Sequence, residues 1–221
     1  RRGTPQGGVA SPLLANLYLH LLDRIWVRHD LEHRLGARLV RYADDAVILC
    51  RHGTEKPMAV FTAVLEKLDL TLNVQKTRRV DARADGFDFL GFRIAWRTSR
   101  RSGKGYPHVE PSKRAEQRIK DRVKELTARR RTPVALRDMI GEVNQALRGW
   151  SGYFHYRNCS KVLGRVKTHA EERMRTQLRR RYHLQSRAQG YIRFPNAHLY
   201  DHLGLFKVPT TAGWRSAHAL A

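Results

Sequence analysis

Cysteine is nearly absent from this 221-residue chain: Cys50 and Cys159 lie far apart and pair with no others. That leaves neither a disulfide framework nor a paired-cysteine zinc pattern, so no zinc is expected. Long apolar runs are also missing, and none approaches the ~18 residues of a membrane-spanning helix, so no membrane partner is expected. The eleven histidines are scattered without a spacing that would make a ligand set. Acidic residues are scarce as well, 20 against 43 Lys and Arg, which gives a net charge of +23.

The cationic excess is unevenly placed. Residues 1–97 hold 16 basic and 11 acidic residues, whereas residues 98–221 hold 27 and 9. A surface of that sign over the second part suits a phosphate backbone. Apolar periodicity and aromatics in the same part argue against a merely disordered basic tail.

Against this background the adjacent carboxylates of Tyr42-Ala43-Asp44-Asp45 stand out. Their flanks, Arg38 to Arg41 and Ala46 to Cys50, carry the branched apolar content of strands. Aspartates tolerate turn geometry, so Asp44 and Asp45 are predicted to form the reversal of a hairpin. Side-by-side carboxylates repel unless a cation neutralises them, and hard oxygen donors suit Mg²⁺. A solvated turn would carry the same two residues, so the surrounding motifs must decide.

Upstream, Pro5-Gln6-Gly7-Gly8 leads into Ser11-Pro12-Leu13-Leu14-Ala15-Asn16. Gly3, Gly7 and Gly8 permit close backbone approach to a ligand, Ser11 is a candidate N-cap, and Pro12 fits a first helical turn. Leu13, Leu14, Leu17, Leu21, Ile25 and Trp26 recur at helical spacing and are expected to pack under a sheet. A second helix is predicted from about Pro57 to Leu68, with Val60, Phe61, Val64, Leu65 and Leu68 on one face. After Leu70 to Thr77, the run Phe87 to Ile94 reads as a strand pair with Gly91 at a close approach. Arg97 to Pro107 lacks periodicity and reads as a hinge or exposed loop. Helices are then predicted from Pro111 to about Arg130, Pro133 to about Leu147 and Ser160 to about Tyr182, a small bundle. The connection after Leu147 holds Trp150, Tyr153, Phe154 and Tyr156; four-residue spacing makes Trp150 and Phe154 better core than RNA-stacking residues. Arg179, Arg180 and Arg181 close the third helix, where cations complement its dipole and are available to RNA phosphates.

Taken in order, Pro5 to Gly8, Ser11 to Asn16, Tyr42 to Asp45 and Phe89-Leu90-Gly91-Phe92 resemble the consecutive palm motifs of group II intron reverse transcriptases. The Leu147 to Tyr156 segment resembles the signature of the thumb or maturase domain that follows, and Tyr200 to Phe206 resembles that domain's end. The resemblance implies an α+β fold. Residues 1–97 would be a partial polymerase palm, an antiparallel sheet with helices; 98–110 a basic linker; and 111–221 an all-α helical-bundle thumb. It implies RNA-directed DNA polymerase chemistry with Mg²⁺ held by Asp44 and Asp45, Asp44 foremost. Gln6, Gly7 and Tyr42 would lie against nucleotide and template. Lys76 would face the triphosphate as general acid or charge neutraliser, and Arg179 to Arg181 would contact RNA.

The implied partners are group II intron RNA, an RNA template with a DNA primer, and dNTPs, in the cytoplasm, with assistance to splicing as a maturase. In that family a further aspartate on an earlier palm strand completes the metal set. The chain opens without Met and inside a motif, so it is expected to be the C-terminal piece of a longer protein, inactive as a polymerase on its own. Two other readings stand beside this one: an RNA-binding splicing cofactor with a vestigial polymerase site, and a retron, diversity-generating or defence-associated reverse transcriptase.

Overall fold

A computed structural model describes residues 10–211. The chain divides into two compact units between Arg79 and Val80, each with its own core. Helices alternate with two small antiparallel sheets, an α+β arrangement.

In the first unit, α1 (Ser11–Arg28) leads through the short α2 (Leu31–Leu35) into β1 (Ala37–Tyr42) and β2 (Asp45–Cys50), followed by α3 (Glu55–Lys67). The core is Leu22, Trp26, Leu31, Ala37, Phe61, Val64 and Leu65. Trp26 anchors it twice: its ring meets Phe61 edge-on at 6.3 Å, and its indole N–H donates to the Ala37 carbonyl at 3.1 Å. A buried indole needs such an acceptor. The α3 face expected from its spacing is buried at Phe61, Val64 and Leu65.

Two expectations for α1 need correction. The N-cap is Ala10, with no side-chain cap, and Ser11 is already helical, so Pro12 falls at the second position. Leu13, Leu14, Leu17 and Leu21 are exposed, Leu13 by 63%, and burial falls on Leu22 and Trp26 instead. The physical reason is that α1 is apolar around most of its first three turns. Periodicity alone then does not select a face, and the two buried residues, Leu22 and Trp26, both lie in the C-terminal half of the helix.

The second unit begins with an antiparallel sheet of β3 (Phe87–Phe89), β4 (Phe92–Thr98) and β5 (Gly105–Pro111), in that order. Residues 98–110, read from sequence as a linker with Arg97 to Pro107 as a hinge, thus hold the β4–β5 turn and most of an edge strand, with Thr98 opposite Gly105 and Phe92 opposite Pro111. Two prolines disguised it. Pro107 and Pro111 share the phase of Val109, whose N–H points away from β4 and donates to the Asn158 side chain at 3.1 Å. Prolines at an outer edge cost no ladder hydrogen bond.

Ser112 then caps α4 (Lys113–Leu126), accepting from the Ala115 N–H at 3.2 Å. With α5 (Leu136–Phe154) and α6 (Ser160–Arg181) it forms a bundle whose core includes Ile119, Val123, Val143, Leu147, Leu163, Val166, Met174 and Leu178. Helix α5 runs seven residues past its expected end at Leu147, so Trp150, Tyr153 and Phe154 are helical and only Tyr156 lies in the connection. Leu147, Ser151 and Phe154 continue its buried stripe, and packing overrides the weak helix preference of Gly149 and Gly152. A short α7 (Arg187–Arg193) starts with a capping box from Ser186 and Gln189. Leu199, Leu205 and Val208 then return to the bundle core.

Candidate functional site

The acidic pair sits at the tip of the β1–β2 hairpin. Tyr42 pairs with Asp45, leaving Ala43 and Asp44 as a two-residue turn. Asp45 therefore opens β2 instead of sharing the reversal with Asp44, and the positive φ that such turns require falls on Ala43, at 51°. Both carboxylates are exposed. Strand alternation places Tyr42 beside its partner Asp45 on the face opposite Leu39 and Ile48, which pack against the core. Tyr42 is 66% exposed and borders the acidic pair.

Arg41 does not announce itself in the sequence as part of this site. Its Nε and Nη2 donate to Asp23 of α1 at 3.1 and 2.5 Å, while Nη1 donates to Asn16 at 3.1 Å and to the Ala43 carbonyl at 2.7 Å. The side chain is only 12% exposed, and the hydrogen bonds to Asp23 strengthen its hold on its proton. One signal was available: Arg41 occupies the inward phase of β1 after Ala37 and Leu39, and an inward cation requires a carboxylate partner.

Among the described residues no cation pairs with Asp44 or Asp45, and no three His, Cys, Asp or Glu side chains converge as a ligand set. Two adjacent, exposed carboxylates fit Mg²⁺ as part of its shell. That ion takes one or two carboxylates and fills its octahedron with waters and substrate oxygens. Lys76 is exposed on a turn organised by Asn73, which accepts from the Lys76 and Thr77 N–H groups at 3.2 and 3.0 Å. Gln6 and Gly7 lie outside the described residues.

In the second unit the expected RNA contacts separate. Arg180 is exposed, but Arg181 donates to the Val134 carbonyl and Arg179 to the Gln185 carbonyl at 3.4 Å, so two of the three guanidinium groups serve the fold. Other arginines missed as structural do the same. Arg165 grips Glu116 at 2.6 and 2.8 Å, Arg131 grips Glu142 at 2.5 and 2.8 Å, and the buried Arg175 donates to the Phe194 carbonyl at 3.0 Å. The cations left facing solvent include Arg100, Arg101 and Lys104 in the β4–β5 turn and Arg114 and Arg118 on α4.

The aromatic segment braces a hairpin. Leu90 and Gly91 form the β3–β4 turn with φ of 49° and 82°. A Cβ at Gly91 would stand 3.0 Å from the Phe154 ring, so both conformation and space favour glycine there. Phe154 stacks against Phe92 and Trp150 at 5.0 and 4.9 Å, the Trp150 indole donates to the Ala115 carbonyl at 3.1 Å, and the Tyr153 hydroxyl donates to the Leu90 carbonyl at 3.0 Å. Trp150 and Phe154 are packing residues, as their spacing suggested; Tyr153, at 56% exposure, keeps a free ring face.

Comparison with known proteins matches residues 1–94 to the reverse transcriptase (RNA-dependent DNA polymerase) family and residues 116–193 to the group II intron, maturase-specific domain. A curated relative, Protein YkfC of Escherichia coli (strain K12), is 32% identical over 130 aligned residues, covering 44% of this chain. The match spans about a third of that relative, 34% of its length. With a reverse transcriptase segment followed by a maturase-specific segment in one chain, this protein belongs to the group II intron reverse transcriptase/maturase family.

Proposed function

We propose that the chain supplies the second part of the palm and the thumb/maturase domain of an RNA-directed DNA polymerase that binds its group II intron RNA, assists splicing, and copies RNA into DNA from a primer. The palm would extend over residues 1–97 and the thumb over 111–221, joined by the 98–110 hairpin segment. The observation that carries the reading is the exposed Asp44–Asp45 pair at the end of a two-residue hairpin in a chain of this family.

In this reading Asp44 and Asp45 hold Mg²⁺, which when bound favours the ionised primer hydroxyl and offsets charge on the departing pyrophosphate. Asp44, in the turn itself, is the principal ligand. Tyr42 lines the nucleotide side of the tip, with Gln6 and Gly7 against nucleotide and template. Lys76 stands on its Asn73-organised turn as the proton donor or counter-charge to the triphosphate of an incoming dNTP. Arg180 is the chief phosphate contact of the Arg179 to Arg181 run, since the other two are engaged within the bundle. The work takes place in the cytoplasm, where template and nucleotides are.

Primer extension on an RNA template, by the complete gene product with Mg²⁺, tests the proposal. Asp44→Ala is expected to lower extension by more than the roughly 10–100-fold typical of residues outside a metal's direct shell, with intron RNA binding retained. Tight intron binding by a gene product that never extends a primer would instead identify a splicing cofactor with a vestigial polymerase site.

A further inference from the structure

We propose that Arg41 is the positioning residue for the acidic pair: its guanidinium fastens the hairpin turn to α1 and so fixes where Asp44 and Asp45 are presented. The inference rests on the metal-holding role proposed for that pair and adds a residue to it.

Geometry carries the proposal. One planar fork serves three partners in two elements. Nε and Nη2 form the bidentate grip on Asp23, the strongest common arrangement for an arginine–carboxylate pair. Nη1 is left to bridge Asn16, two turns earlier on the same helix, and the carbonyl of Ala43. That carbonyl belongs to the residue held at φ 51°, immediately before Asp44. An alanine in this region is strained by order ~1 kcal/mol, and such a conformation persists only where surroundings over-determine it. The Arg41 donor is one such determinant. Asn16 and Asp23 lie on a regular helix anchored through Leu22 and Trp26, so the turn is referenced to a rigid element and not to another loop. Two separate stretches, the one ending at Asn16 and the one around Tyr42 to Asp45, thereby meet through a single side chain.

A lysine cannot reproduce this. It retains the charge for Asp23 but offers one compact ammonium in place of a fork spanning three acceptors. Arg41→Lys should therefore keep the fold and lose the reference. Its effect belongs to the turn, since metal sites depend on the groups that orient their ligands by about 10–100-fold in affinity.

The test uses the isotopically labelled chain, with Mn²⁺ as a paramagnetic probe. In the parent chain, amides of Ala43 and Asp44 are expected at the order parameter of rigid backbone, about 0.85, falling below about 0.6 in Arg41→Lys, while Phe61 to Leu65 stay unchanged. The Mn²⁺ concentration that half-broadens the Asp44 and Asp45 signals should rise about 10-fold. Unchanged turn order and unchanged Mn²⁺ response in Arg41→Lys overturn the proposal. If Mn²⁺ acts equally on a variant carrying Asp44→Ala and Asp45→Ala, the metal-holding role fails, and turn order alone decides the clamp. Should Arg41→Lys loosen the whole unit, Asn16→Ala decides: it leaves the Asp23 pair, so a selectively mobile turn supports the clamp and an unaltered one refutes it.

Discussion

Glu116 lies under two cations, with Arg165 at 2.6 Å and Lys120 at 2.5 Å, and its side chain is 11% exposed. The Arg165 hydrogen bonds, opposed by burial and aided by Lys120, pull its pKa from 4.5 down to about 2. A carboxylate whose folded pKa is depressed contributes stability above its unfolded value and loses it as pH falls toward the folded one. The contribution is therefore complete above about pH 4.5 and is lost between there and about 2. A depression of that size corresponds to roughly 3 kcal/mol. Glu116→Gln should cost roughly 2–3 kcal/mol at pH 7 and flatten the acid limb, as read by urea unfolding at pH 7 and pH 3; an identical acid limb in the variant would show that other carboxylates dominate. This hub was not legible in the sequence, and of the Arg41 grip only the inward phase of the arginine in β1 was. Their partners are 49 and 18 residues away, and one sequence does not identify which distant group a charge will meet. Asp44 and Asp45 could be singled out because turn chemistry and the surrounding motifs mark them, and Lys76 through the family resemblance of its stretch.

At the scale of elements, what could be read was whatever carried its own period. Helices α4 and α6 lie within a few residues of expectation because Ile119, Val123 and Leu126, or Leu163, Val166, Ala170 and Met174, repeat at 3.6-residue spacing. Strand β5 was not legible, since Gly105, Pro107 and Pro111 look like loop residues until the sheet order makes β5 an edge. Its outer side is closed by Asn158, whose side chain accepts from the Val109 N–H at 3.1 Å and whose own N–H donates to the Val109 carbonyl at 2.9 Å. An unprotected edge invites pairing with another chain. Asn158→Ala removes the acceptor but not the backbone donor, and should destabilise the unit by about 1 kcal/mol. Thermal unfolding measures the loss. Asn158→Asp, which keeps an acceptor oxygen, should restore most of it; failure of that rescue would assign the effect to something other than the edge.

For the molecule as a whole, net charge and surface charge are different quantities. The +18 balance of residues 98–221 reads from sequence as a phosphate-tracking surface, yet Arg131, Arg165, Arg175, Arg181 and Arg187 are occupied by carboxylates or carbonyls of their own unit. Counting cations therefore overstates the number available to RNA, and position within the bundle separates the two kinds. Counterion release turns the distinction into a measurement, because each phosphate contact adds a fixed increment to the salt dependence of binding. If the bundle binds intron RNA as proposed, Arg180→Ala and Arg118→Ala should each reduce the slope of log K against log salt by about 1, with little change in unfolding. Arg165→Ala should do the reverse, leaving the slope intact while lowering stability, since its guanidinium is committed to Glu116. Equal slopes for all three variants and the parent would mean that RNA is held elsewhere than on this exposed set. A loss of slope in Arg165→Ala alone would mean that RNA competes with Glu116 for its arginine, making that ion pair a part of the binding surface.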